Sequence, residues 1–140
     1  IIKQQIHTRS KRQEKLLLNK YKQMIDRELA KTKFKEIDKE HLLKVIEATL
    51  LEFPKKLDLV LKNSKDQFFE ETRYYARHIR ESYAFVFHDT ELNKFCHKIE
   101  EAVNTNDRGI IMNCVNDLQK YGPAFIADLN AFYKDLTTKI

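Results

Sequence analysis

The chain has 140 residues, 42% of them apolar and 34% charged, with 26 Lys/Arg against 21 Asp/Glu and only two glycines, two prolines and two cysteines. That composition excludes a disulfide-dense scaffold and a glycine-rich phosphate loop, and it supplies enough apolar side chain for one domain with its own core. No stretch approaches the ~18 consecutive apolar residues that a membrane-spanning helix needs, and no signal-peptide apolar run opens the chain.

The charge is uneven. Residues 1–35 carry eleven Lys/Arg against Glu14, Asp26 and Glu28, a net +8, whereas the remaining residues carry 15 basic and 18 acidic side chains, a net −3. Two parts are therefore expected: a basic N-terminal helix within 1–37 and a helical bundle over 38–140. The chain opens on Ile1 rather than Met, which suggests a piece of a longer protein.

With so few glycines and prolines, Asn, Asp, Ser and Thr must supply the breaks between elements. A first helix is predicted from about Ser10 to Lys33. Leu17, Leu18, Tyr21, Met24, Ile25 and Leu29 recur at helical spacing on one side, and Lys11, Arg12, Lys15, Lys20, Lys22 and Arg27 fill much of the other. Asp38 is an N-cap candidate for a second helix that turns Leu42, Leu43, Ile46, Leu50 and Phe53 inward. Pro54 predicts a boundary there, because it disfavours helical backbone at Phe53 and suits a first helical turn. A short third helix would then carry Leu57, Val60 and Leu61, ending near Asn63, with Ser64 and Gln67 at capping-box spacing.

A long helix is expected from Lys65 to about Phe87, with Phe68, Thr72, Tyr75, Ile79, Tyr83 and Val86 on one stripe. His88-Asp89-Thr90 interrupts it, and Asp89 or Thr90 caps the next helix, which carries Leu92, Phe95, Ile99, Ala102 and Val103. Asn104-Thr105-Asn106-Asp107 forms a turn, and Asn106 or Asp107 caps a helix with Ile111, Val115, Leu118 and Tyr121 inward. Gly122 suits a left-handed helix end and Pro123 a stop, so a last helix is predicted with Phe125, Leu129, Phe132, Tyr133 and Leu136. No segment alternates as a strand does. The fold class is therefore all-α: six or seven amphipathic helices, an up-down bundle whose C-terminal half is an antiparallel hairpin.

That hairpin, residues 91–121, is the most distinctive unit. Lys98-Ile99-Glu100-Glu101-Ala102, the Asn106-Asp107 turn and Asn116-Asp117-Leu118-Gln119 resemble, in that order, the helical hairpin in the C-terminal lid region of the seventy-kilodalton heat-shock chaperones. The resemblance covers about thirty residues of the chain. It implies a lid or lid-associated helical bundle without catalytic residues, with the preceding long helix where a lid helix would sit.

Arg73, Arg77 and Arg80 share one face of that long helix, a cationic row that can hold phosphates; salt bridges to Glu70, Glu71 and Glu81 are the plainer expectation. Arg73 and His78 also have the R-x4-H spacing of HEPN ribonuclease-like domains, which resemble this chain in size and class. That resemblance implies RNA phosphodiester chemistry by the pair. His88-Asp89 resembles the doublet of HD phosphohydrolases, but an interhelical cap explains it more simply. No Glu-x-x-His pair is present, so no di-iron bundle is expected, and the cysteine spacing fits no zinc pattern. His97 lies off the apolar stripe as a solvated or partly packed histidine. Cys96 and Cys114 sit among apolar residues as buried thiols do, which points to a reducing, cytoplasmic compartment.

These observations lead to a non-catalytic helical interaction domain of the chaperone-lid kind, with a protein partner and neither metal nor cofactor. One alternative is the HEPN-type domain using Arg73 and His78. The other is electrostatic binding of nucleic acid or an acidic protein through residues 9–35. The candidate binding residues are Lys11, Arg12, Lys15, Lys22, Arg73, Arg77 and Arg80. A second copy of the chain is a further candidate partner if the basic helix projects and needs its apolar stripe covered.

Overall fold

The computed structural model describes residues 25–28 and 39–138. The basic helix expected over Ser10 to Lys33, with Lys11, Arg12, Lys15 and Lys22, lies outside the described residues except at 25–28, as does the Asp38 cap.

Among the described residues there are no strands and four α-helices: α1 (Lys39–Lys65), α2 (Phe69–Ile79), α3 (Thr90–Thr105) and α4 (Arg108–Thr138), with a π-helical turn, Arg80–Ala84, continuing α2. No helix among them is long and apolar enough to cross a membrane. The all-α expectation holds; the finer count of six or seven does not hold over this region, because two predicted breaks are absent.

Both absent breaks were assigned at prolines. Pro54 lies inside α1 and Pro123 inside α4. Each removes one helical N–H, leaving the carbonyls of Leu50 and Gln119 without their usual i+4 partners. The helices continue regardless because packing on both sides of each proline outweighs that local cost. Leu50, Phe53 and Leu57 are buried around Pro54, and Tyr121, Gly122, Ala124 and Phe125 around Pro123. Gly122 has no left-handed backbone. Its role is close approach: a Cβ built there would lie 2.5 Å from Leu57 Cδ2, so the missing side chain lets α4 lie against α1. Gln119 Nε2 reinforces that crossing by donating to the Leu57 carbonyl at 3.0 Å.

The true helix ends fall where non-glycine residues adopt the left-handed conformation: Gln67, His88 and Asn106, with φ of 63°, 53° and 54°. At Gln67, the Phe68 amide donates to the Asn63 carbonyl and the Gln67 amide to that of Ser64. At His88, the Asp89 and His88 amides donate to the Ala84 and Phe85 carbonyls. Both are paired returns that satisfy the last carbonyls of a helix, normally built on glycine. A chain with two glycines, both used elsewhere, builds them from Gln and His.

Residue Phe68, expected on the buried stripe, is 57% exposed, because it follows Gln67 in the turn rather than lying within a helix. Thr72, Ala76, Ile79, Tyr83 and Ala84 form the actual inner face of the rod. The Phe85 amide reaches the Arg80 carbonyl across the π turn, and that one-residue slip helps bring both Tyr83 and Ala84 inward.

The hairpin of α3 and α4 is antiparallel as predicted. Asp89 is the N-cap of α3, its Oδ1 accepting the Leu92 amide at 2.9 Å, and Asp107 Oδ1 accepts the Ile110 amide at 3.2 Å to open α4. Ile99, Val103, Ile111, Val115 and Leu118 are buried between the two helices, and Phe95 meets Tyr121 at 5.0 Å between ring centroids. Around residues 121–132, α4 is buried on nearly every side, so this stretch is the centre of the bundle. Phe125 contacts both Phe53 and Phe87 there.

Candidate functional site

The predicted cationic row lies along the seam between α2 and α3, and its partners come from across that seam. Arg77 Nε donates to Glu100 Oε1 at 3.0 Å, while Arg80 donates to both carboxylate oxygens, from Nε at 2.6 Å and from Nη2 at 3.1 Å. Arg73 Nη2 donates to Asn104 Oδ1 at 2.6 Å and pairs more loosely with Glu70 at 3.7 Å. The expected pairing with Glu70, Glu71 and Glu81 is therefore largely replaced by Glu100 and Asn104, one turn apart on α3. The Glu100 side chain is only 9% exposed, against 28% for Arg80 and 53% for Arg77. Burial pushes its carboxyl up, but the hydrogen bonds from Arg80 and Arg77 outweigh that and leave it below its ordinary range.

Among the described residues, Arg73 and His78 meet no common partner. Five residues apart on a helix, they point about 140° apart. Arg73 faces α3, while His78 lies edge-on to Tyr83, 6.0 Å between centroids.

Two further buried acids lie at the far end of the bundle. Asp89, 1% exposed, accepts the Tyr121 hydroxyl as well as the Leu92 amide, with oxygen–oxygen distances of 2.7 and 2.9 Å. Burial raises its carboxyl to about 6, against the lowering effect of those hydrogen bonds. Burial likewise raises the Tyr121 hydroxyl, with the Asp89 charge adding to it. Asp128, 2% exposed, accepts the Ile25 amide at 3.0 Å and Arg27 Nη2 at 3.2 Å. His88 lies near Phe85, with ring centroids 6.2 Å apart. The doublet is thus a left-handed helix end followed by a cap.

Beside this junction a cleft of about 510 Å³ opens, lined by Arg80, Phe85, His88, Thr90 and Asn93 among others. Phe85 stands 64% exposed at its edge. Among the described residues no group of three His, Cys, Asp or Glu side chains is placed to hold a metal ion. Cys96 and Cys114 are free thiols, each raised by burial, which disfavours the thiolate that a nucleophile requires. His97 is largely exposed and pairs with Glu101 at 3.3 Å.

Sequence reasoning singled out the arginines but not Glu100, Asn104, Tyr121 or Asp128. One signal was present for Glu100: it lies on the helix face of Cys96 and Val103, four residues before it and three after, where a carboxylate needs a cation. No such signal marked Asp128, whose partners lie more than 100 residues away.

No family model, curated protein or solved structure matches this chain.

Proposed function

We propose that the chain is a helical interaction domain acting through its surface rather than through a reactive centre, of the kind found in the C-terminal lid region of heat-shock chaperones. The observation that carries this reading is the distribution of exposed aromatic rings. Phe68, Tyr74 and Phe85, each 57–64% exposed, lie along or bracket the single rod of α2 and its π turn. Phe85 also borders the cleft, and exposed aromatic side chains are a feature of surfaces that bind other proteins. The three buried carboxylates support the same reading, because Asp89, Glu100 and Asp128 each tie one segment of the fold to another.

The test is binding of a permanently unfolded polypeptide, such as a reduced and carboxymethylated globular protein, followed by fluorescence anisotropy. Phe68→Ser/Tyr74→Ser/Phe85→Ser should weaken binding about tenfold or more while leaving the melting temperature nearly unchanged, since all three rings are exposed. Equal binding by the triple variant would overturn the assignment of this surface. Cleavage of single-stranded RNA that disappears in Arg73→Ala or His78→Ala would replace it with the ribonuclease reading, which the divergence of those two side chains does not favour.

Charge asymmetry supports a second reading, electrostatic attachment to nucleic acid or an acidic protein through residues 9–35. Affinity for RNA that falls steeply with salt and is lost in Lys11→Ala/Arg12→Ala/Lys15→Ala is its expected signature.

A further inference from the structure

Asp128 poses a physical question. A carboxylate on the inward side of the most buried helix is costly unless donors meet it. Those donors come from Ile25 and Arg27, and Asp26 between them is tied to the neighbouring turn. Ile25 places its side chain in the core, 3% exposed, and gives its amide to Asp128 Oδ2. Asp26 gives its amide to the Phe87 carbonyl at 3.1 Å, in the turn just before Asp89. Arg27 gives its guanidinium to Asp128 and Asp135 and lies over the Phe132 ring, 5.4 Å from the centroid.

The contact has the form of short-peptide recognition. Two consecutive main-chain amides set the register, one aliphatic side chain fills a hole, and an arginine is held by two carboxylates and an aromatic face. Every contact named is local to Ile25–Arg27. Arg27 Nε is buried without an acceptor among the described residues, which subtracts from the stability of the contact.

We propose that Phe87, Asp128, Phe132 and Asp135 form a peptide-recognition socket for a segment bearing an aliphatic residue followed two positions later by arginine. Ile25–Arg27 is its resident, displaceable occupant. Residues 25–27 are thereby clasped to the acidic bundle, and a segment of the same chemistry offered in trans competes for that contact. The proposal rests on other residues than the α2 surface above and does not depend on it.

The test uses the full chain and a fluorescent peptide with the sequence of residues 21–31. In Ile25→Asp/Arg27→Glu the resident segment cannot compete, so the peptide should bind at least about tenfold more tightly than to the wild-type chain, where the tethered copy acts at high effective concentration. An Arg27→Glu version of the peptide should not bind, and adding Asp128→Asn to the chain should abolish binding of the original. Equal affinity for both chains, or indifference to Asp128→Asn, overturns the proposal. Hydrogen exchange in the unaltered protein decides it even if the double variant does not fold. The Ile25 and Asp26 amides should exchange at least about tenfold more slowly than open chain. Exchange at the open-chain rate also overturns it.

Discussion

The Glu100 clamp permits a prediction in which the sign of an asymmetry, rather than a single number, is at stake. The anion is buried and its two cations are not, so removing the anion and removing the cations are unequal perturbations. In Glu100→Gln, the arginines lose a partner but can turn their guanidinium groups to water, because Arg77 is half exposed and Arg80 more than a quarter exposed. The loss is that of a few charge-assisted hydrogen bonds, discounted for solvent screening, on the order of 1–2 kcal/mol. In Arg77→Ala/Arg80→Ala a carboxylate remains buried with no cation, a case that costs about 3–5 kcal/mol. Urea denaturation at neutral pH should therefore show the double arginine variant clearly less stable than Glu100→Gln. Replacing all three by apolar residues, Glu100→Leu with Arg77→Ala and Arg80→Ala, should recover most of the loss. The pH dependence carries a second sign. Without its arginines Glu100 keeps only the upward push of burial, so its folded carboxyl rises above its unfolded value. The deficit of the double variant should then shrink as pH falls from 7 towards 5. If Glu100→Gln were as destabilising as the double variant, the claim that burial sits on the anion side would be wrong.

Other outcomes follow from the same structure. Tyr121→Phe leaves Asp89 buried with one fewer donor, so it should cost about 1–3 kcal/mol in denaturant melts. Asp89 is raised to about 6 in the folded chain against an ordinary 3.8, so the folded state holds the extra proton between those values. Its contribution is complete below pH 4 and is lost as pH rises through 6, about 3 kcal/mol in all, and the wild-type protein should show this decline while Asp89→Asn does not. Gln67→Gly should stabilise the protein by up to about 1 kcal/mol, since glycine removes the left-handed penalty that Gln67 bears at φ 63°. Pro123→Ala should also stabilise, by about 1–3 kcal/mol, by restoring the amide that the Gln119 carbonyl lacks; a destabilised variant would show that the proline's shape is needed at that crossing.

The polar groups of the core share a pattern that bears on function. Glu100 joins α3 to the α2 rod, Asp89 joins the start of α3 to α4, and Asp128 joins α4 to residues 25–27. Each is satisfied by a segment distant in sequence, so each helps specify which helix lies beside which. An apolar core alone fixes that less strictly.

What the residue order determined by itself was periodic and local. Apolar side chains returning every three to four positions specified helices, and the same returns named most of the core: Leu42, Ile46, Phe53, Ile79, Ile99, Val115, Leu118, Phe125 and Leu129 are all buried. Asp89 and Asp107 were legible as caps because an N-cap acts within three residues. Tertiary structure decided whatever depended on a neighbour distant along the chain. Pro54 and Pro123 are strong local stop signals, and packing from several sides overrode both. Gly122 looked like a helix end when considered alone, and becomes a point of close approach only once Leu57 lies against it. The arginine row was visible from its spacing, yet its counter-charge was not, because Glu100 lies on another helix and acquires its role through burial. Asp128 was the least legible of all: a lone acid among apolar residues has no periodicity to mark it, and its meaning comes entirely from the folding back of Ile25–Arg27 across the bundle.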